Sequence, residues 1–451
     1  MNNKSIWKDI KIKKYPKLNR DIETDILIIG GGITGISTLY HLKDSNLRVI
    51  LVEQNKIGFS TTGNSTGKLS YLQNNLIDKI RTNFNDDTAS LYLNSQIESI
   101  NNLVDIINKE NIDCDLEKVN SYLYTNNNDE IEKIKDLEKF LIYNNIKVKQ
   151  ANINIVKSKY MIKVDNTYTL HPIKLIYGLL KYNKYPIYEN TSIKKIEKYN
   201  THYSCYTEKN KIVAKKVIIA SHYPYFIFPY FFPIKCSLEK SYLSASRCKC
   251  KNISLISYSN PFISIRNYKD YLIYLSNSHD ITKDTCDKKH FNELIKKVNN
   301  LKLNPEYIWS NIDIMTNDGL PYIGEIKKNL LIGTGYNTWG ISNGFLAGKI
   351  LSDIINKKEN AYLELFSPKR INLTKFMEGI TDIGKNIRGY TNGFINKNYT
   401  KASLCPHAKC KLIYNEIEQT WDCPCHGSRF DKTGKCINGP ANKNIIIKDK
   451  K

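Results

Sequence analysis

Two short segments with uninterrupted apolar centres stand near the start of the chain, residues 25–30 (DILIIG) and 47–53 (LRVILVE). Runs of that length without polar interruption are the pattern of strands buried on both faces. Residues 33–43, between them, carry helical spacing, so the chain opens as a strand–helix–strand unit. Residues 76–144 are polar and predict a helical region, most clearly periodic over 131–142. Pro172 opens a further helix over 173–181. Residues 216–220 (KVIIA) and 330–333 (LLIG) read as two more buried strands, the second followed by a helix over about 341–355. Residues 233–314 are aromatic and strand-rich, with one helix near 292–299. Residues 367–400 mix Pro, Gly and polar positions as a connector, and the last fifty are turn-rich with short strands. The expected class is α/β + β: an α/β part holding an inserted strand-rich part, then a small all-β unit.

Composition narrows this little. A chain of 451 residues has room for two or three domains, and 41% hydrophobic with 25% charged residues is ordinary for a globular protein. The longest apolar-dominated stretch, 225–234, has ten residues and two prolines, too short for a membrane span. Residues 1–20 are polar and lysine-rich with no apolar core, so no secretory signal is expected. The net charge of +23 points toward a polyanion, but only eight of the 67 basic residues are Arg. Arg supplies the planar fork that reads phosphates and bases, so the charge reads as a lysine-coated surface without a dedicated nucleic-acid site. Of eleven Cys, six are scattered from Cys114 to Cys286 and five fall between Cys405 and Cys436. The odd count without a signal peptide predicts a reducing, cytoplasmic location, and the C-terminal group calls first for a metal.

Gly30, Gly32 and Gly35 form G-x-G-x-x-G between the first strand and its helix, and Glu53 ends the second strand. The first glycine makes the tight turn, the second admits a pyrophosphate against the backbone, and the third lets helix and sheet touch. The helix N-terminus favours the anion, and the acidic strand end suits ribose hydroxyls. Residues 58–70 (GFSTTGNSTGKLS), which include Thr61 and Thr62, form a small-residue loop just beyond. Residues 333–344 (GTGYNTWGISNG) form a glycine-rich return to a helix about 300 residues later. With residues 317–324 (NDGLPYIG), these segments resemble FAD-dependent oxidoreductases of the D-amino-acid-oxidase type over roughly 22–360. The resemblance implies a Rossmann-like FAD-binding domain, in parts 22–232 and 315–366, with an inserted substrate domain at 233–314. It implies FAD contacts at Gly335, Trp339 and Gly340 as well. A helix starting near Ile341 would aim its positive end at the flavin and stabilise negative charge there.

Cys405-Pro406-His407 and Cys423-Pro424-Cys425-His426 each bring one Cys and one His. Residues 411–414 and 420–423 can pair as a hairpin turning near Asn415 and Glu416, which places both loops at one end. Two thiolates and two imidazoles suit a [2Fe–2S] centre with Cys on one iron and His on the other. A tetrahedral zinc site is the competing chemistry, although C-x-H…C-x-x-H is not zinc-finger spacing. The two boxes resemble the Rieske signature over about 385–451. That resemblance implies Cys405, His407, Cys423 and His426 as ligands, a disulfide between Cys410 and Cys425, and a third loop at Gly439-Pro440. Two departures stand out. Lys409 replaces a usual Gly, which predicts a differently bent loop. Phe430 replaces a Tyr whose hydroxyl bonds a ligand sulfur in high-potential relatives, which predicts a potential below the top of the range of roughly −150 to +300 mV.

The layout resembles FAD-dependent oxidoreductases carrying a C-terminal Rieske domain: an oxidoreductase part at 1–366, a linker at 367–384 and a cluster domain at 385–451. The implied function is oxidation of a small amine or amino-acid-like metabolite, with electrons leaving singly through the cluster to an external acceptor. Relatives that oxidise amino acids often hold a carboxylate with an Arg of the strand-rich domain, which singles out Arg266, then Arg247; Tyr322 is a candidate for the pocket wall. Two other readings are an electron-transfer protein reduced by a partner reductase and a redox sensor without a metabolite substrate. No second G-x-G-x-x-G is present for a nicotinamide.

Overall fold

Ile22–Ile29 pairs in parallel with Val49–Val52 on one side and with Lys211–Ile219 on the other. Leu330–Thr334 extends this eight-stranded sheet, again in parallel. Both faces are covered, and strand alternation decides which residue enters which core. Ile26 and Ile28 join one cluster with Val49 and Leu51, while Leu27 and Ile29 join a second with Ile50 and Val52. The computed structural model describes residues 1–223, 232–250, 253–259, 262–370 and 404–447. The expected connector falls outside the described residues from 371 onward.

Helix Ile33–His41 lies along helix Gly340–Asn356 in the larger core. The two approach closely at Gly348, where a Cβ would lie 2.3 Å from Ser37 Oγ. Ser37 Oγ donates to Phe345 O at 2.7 Å across the same contact. Helix Asp86–Lys109 packs on this pair through Gln96 and Ser99. Asn85 caps it by accepting from Thr88 N, and Asp86 and Asp87 sit at its positive end.

The helical region expected over 76–144 is interrupted: Glu117–Thr125 is a strand. Its Val119, Ser121 and Leu123 point inward at period two, a short change of spacing hidden between two long helical patterns. This strand pairs in parallel with Ser254–Ser257 and so enters the second, nine-stranded sheet. Lys68–Leu69, Val148–Gln150 and Tyr160–Thr169 join it too, so that sheet is built from residues 68–169 as well as from 233–314. Its far edge is formed by Cys236–Arg247 and Pro305–Thr316. A four-stranded antiparallel meander, Ile413–Asn415, Thr420–Asp422, Arg429–Asp431 and Cys436–Asn438, completes the chain. Asn415 Oδ1 accepts from Ile417 N and Glu418 N and closes the expected hairpin turn. Among the described residues no helix is long and apolar enough to cross a membrane.

Candidate active site

A cleft opens at the strand–helix turn of the first sheet. Gly30 turns the chain at φ +114°, a conformation that L side chains rarely adopt, and a Cβ there would meet Ala220 O at 2.6 Å. At Gly35 a Cβ would lie 2.0 Å from Gly30 O. Gly32 heads the helix without a side-chain cap, and Gly32, Ile33 and Thr34 line the cleft. Thr62 Oγ1 accepts from Ile33 N at 3.1 Å, and Thr61 and Thr62 form the facing wall. Glu53 Oε2 accepts from Gly31 N at 2.8 Å and Oε1 from Asn55 N at 2.7 Å. Burial raises the Glu53 pKa, while these N–H groups pull it back. A helix N-terminus whose N-cap Gly32 supplies no side chain, an acidic strand end and glycines without room for side chains are what a dinucleotide needs, so these residues fit FAD.

A second cavity adjoins the first and shares Ser65, Asp313, Thr338, Gly340 and Ile341 with it. Trp339 lines this second cavity, 6% exposed, with its indole N–H unpartnered. Asn337 and Thr338 carry φ of 50° and 70° on the turn before the helix, backbone strain placed where the two cavities meet. Gly335 lies outside both cavities and turns back on Thr316.

The substrate candidates need correction. Arg266 is buried away from the cavity, with its guanidinium donating to the carbonyls of Thr66, Gly67, Leu170 and Asn267. Through Nη1 it fastens the small-residue loop to the sheet, and it lines neither cavity. Arg247 is exposed and pairs with Glu306 at 3.3 Å. Tyr322 lies in the smaller core, under Arg370 at 3.9 Å from its ring, and lines neither cavity.

Both C-terminal loops make the same turn. Lys409 N donates to Cys405 O in one, and Gly427 N to Cys423 O in the other. Lys409 adopts φ 61° where Gly427 has φ 72°, so the loop expected to bend differently keeps the turn despite its side chain. Cys410 and Cys425 are joined as a disulfide with Cα atoms 6.6 Å apart. Cys423 Sγ lies within 4.8 Å of both sulfurs of that bridge, which are unavailable to a metal. Cys405 and Cys423 are buried, and each thiol is influenced first by the other and then by neighbouring amides, those of His407 and Ala408 for Cys405 and those of Cys425 and His426 for Cys423. The His407 and His426 rings stand 4.9 Å apart, with three ring nitrogens buried and unpartnered. Two buried, mutually interacting thiols and two neighbouring imidazoles with orphaned nitrogens are a donor set that fits a [2Fe–2S] cluster.

Phe430 is fully buried in the same core as Cys405 and Cys423. Phe430→Tyr is expected to raise the midpoint potential. A sulfur hydrogen bond favouring the reduced state by about 1.4 kcal/mol shifts a one-electron couple by about 59 mV. Redox titration of the cluster's EPR signal measures it; an unchanged potential would refute the argument.

The cluster end is docked on the cleft. Ser60 Oγ donates to Asn438 Oδ1 at 2.7 Å, Lys194 Nζ donates to Asn442 O, and residues 437–440 line the cleft mouth. His426 lies 5.7 Å from Tyr223, ring to ring. His222, whose pKa burial lowers to about 4, donates from Nε2 to Ile312 O at 2.9 Å. The two edge strands separate cavity from cluster domain. Glu239, Ser241, Asn311 and Asp313 face the second cavity. On the alternate positions, Leu238 and Ile312 pack on Gly427, Lys240 pairs with Asp422 at 2.7 Å, and Ser310 N donates to Glu418 Oε1 at 3.0 Å. None of these wall residues was singled out by the sequence motifs; polar residues at every second position (239 and 241, 311 and 313) were the available signal.

The sequence model of the family described as FAD dependent oxidoreductase matches residues 25–354, and that of the Rieske [2Fe-2S] domain matches residues 395–448. The Bacillus subtilis protein YhfW, whose name describes a Rieske 2Fe-2S iron-sulfur protein, is 27% identical over 97% of this chain and 96% of its own. Gamma-glutamylputrescine oxidoreductase of Escherichia coli is 22% identical over 76% of this chain and 86% of its own. Among solved structures, glycine oxidase from Geobacillus kaustophilus superposes with a TM-score of 0.67 at 18% identity, covering 78% of this chain and 99% of that one.

Proposed function

Since the chain belongs to the FAD dependent oxidoreductase family and carries a Rieske [2Fe-2S] domain, we propose that it oxidises a small amine or amino-acid-like metabolite and sends the electrons through the cluster to an external acceptor. The reading divides the chain into an oxidoreductase part at 1–366, a linker at 367–384 and a cluster domain at 385–451. One observation carries the route: a single pair of strands is wall to the second cavity on one face and seat of the cluster domain on the other. Bound in the first cleft, FAD would supply the step from paired to single electrons. Gly30, Gly32, Gly35, Glu53, Thr61 and Thr62 would hold it. Trp339 and Gly340 would stand where the two cavities meet, and the helix that begins there would direct its positive end toward the flavin. Cys405, His407, Cys423 and His426 would hold the cluster, with His426 on the cleft side beside Tyr223.

Anaerobic titration of the purified protein with amines and amino acids tests this, following flavin absorbance and the EPR signal of the reduced cluster together. The expected result is bleaching followed by the cluster signal with at least one such compound. Bleaching by a partner reductase alone would replace the reading with an electron-transfer protein. Redox-dependent partner binding without turnover would replace it with a sensor.

A further inference from the structure

The second cavity has unmet hydrogen-bonding capacity of one kind. Four of its side-chain atoms are buried without a partner: Glu239 Oε1, Asn64 Oδ1, Asn74 Oδ1 and Trp339 Nε1. Three are acceptors and one is a donor. Buried polar atoms are normally satisfied, so a cavity left short of donors is complementary to a ligand that brings N–H groups. Two of the wall residues are carboxylic. Glu239 and Asp313 are direct partners across the two edge strands, so their side chains leave the sheet on one face as close neighbours. Asp313 Oδ2 accepts from Asn311 Nδ2 at 3.1 Å. Burial and the Glu239 charge raise the Asp313 pKa to about 7.

A carboxylate-bearing ligand finds the opposite of what it needs. Among the described lining residues Lys68 is the one with a cationic side chain. Its Nζ donates to Leu255 O and to Ser264 Oγ, each at 2.7 Å, and burial followed by the repulsion of Arg266 weakens its charge. Arg266 itself is held by carbonyls. An α-carboxylate would enter beside Glu239 and Asp313, and the cation that acts on Glu239, Lys79, lies outside the lining and donates to Thr316 O at 2.8 Å; an ammonium would find a carboxyl pair.

We propose that the second cavity selects a cationic alkylamine without an α-carboxylate, its ammonium seated on Glu239 Oε1 and Asp313. This rests on the reading of that cavity as the substrate site and narrows it from amines and amino acids to amines. Glu239 is assigned as the residue that determines specificity.

The test uses anaerobic holoenzyme and four probes: propylamine, hexylamine, α-aminobutyrate (propylamine with a carboxylate added) and butyrate. Isothermal calorimetry is expected to show at least one amine binding at least tenfold more tightly than α-aminobutyrate. Glu239→Gln is expected to weaken that amine at least tenfold while the melting temperature and bound flavin stay at wild-type values. Tighter binding of α-aminobutyrate, no binding of either amine, or an amine affinity indifferent to Glu239→Gln would overturn the proposal. Flavin bleaching, recorded in the same samples, separates the two claims. Amines that bind through Glu239 but never bleach the flavin would remove the oxidase reading and leave the ligand class standing. Bleaching by α-aminobutyrate with both amines inert would do the reverse.

Discussion

Lys240→Ala is expected to cost about 3–5 kcal/mol, because it leaves buried Asp287 without its cation and removes the buried pair that ties Asp422 of the cluster domain to the sheet. Lys240 Nζ lies 2.6 Å from Asp287 Oδ1 and 2.7 Å from Asp422 Oδ2, with the lysine side chain 6% exposed. Burial works against its charge, and Asp422 and Asp287 outweigh burial. Asp422 also faces Arg429 Nε at 3.1 Å, and Arg429 Nη2 reaches Glu418 Oε2 at 2.7 Å. Burial alone would raise both of these acids, yet Arg429 and Lys240 hold them below their ordinary values. Two cations and three anions thus close a network between the substrate sheet and the cluster domain. Lys8 stands close enough to feel both Arg429 and Glu418. The exposed pair Lys288–Glu416 spans the same two parts at 3.1 Å, with both side chains more than 60% exposed. Lys288→Ala is accordingly expected to cost at most about 1 kcal/mol. Melting of the two variants, with the rate of cluster reduction after flavin bleaching, measures the contrast. In Lys240→Ala the cluster should remain loaded but fill slowly. Equal melting and equal filling rates would show that the network does not hold the domain.

The difference between what was legible in the chain and what was not follows the range of the interactions. Gly30, Gly32, Gly35 and Glu53 act within one strand–helix–strand unit, so local spacing is enough to place them. Cys405, His407, Cys423 and His426 lie on two loops of one hairpin, and the same holds. The substrate wall is different. Glu239 and Asp313 are 74 positions apart and meet only through an antiparallel register. Glu239 and Lys240 point to opposite faces, and both faces of those strands are covered, one by a cavity wall and one by another domain. Arg266 misled for a related reason: a buried arginine can hold a ligand or hold backbone, and only the four carbonyls around it decide. The Glu117–Thr125 strand sits between two long helical patterns, and its pairings with Tyr160–Thr169 and Ser254–Ser257 leave no local signal.

The glycines of the first turn separate folding from cofactor retention, and the two should come apart on substitution. At Gly35 an added Cβ would lie 2.0 Å from Gly30 O and 3.2 Å from Gly30 C, atoms of the backbone that cannot rotate away. Relief requires helix Ile33–His41 to lift from its strand, and that helix also carries the close contact with Gly348. Gly35→Ala is therefore expected to cost about 1–3 kcal/mol, the range for overpacking a rigid site, and to lose FAD as well. At Gly32 a Cβ would lie 3.3 Å from Thr62 Oγ1, a side-chain hydroxyl, and φ is −81°. Gly32→Ala fits the protein with a shift of a few tenths of an ångström, but it places a methyl group at the uncapped helix N-terminus. FAD content after desalting should then fall in both variants, whereas the melting temperature of the flavin-free protein should fall only in Gly35→Ala. Iron content should stay at the wild-type level in Gly32→Ala, since the cluster loops close on their own turns. Normal flavin content in Gly32→Ala would mean that the pyrophosphate does not approach this turn, and the cleft would then need another ligand.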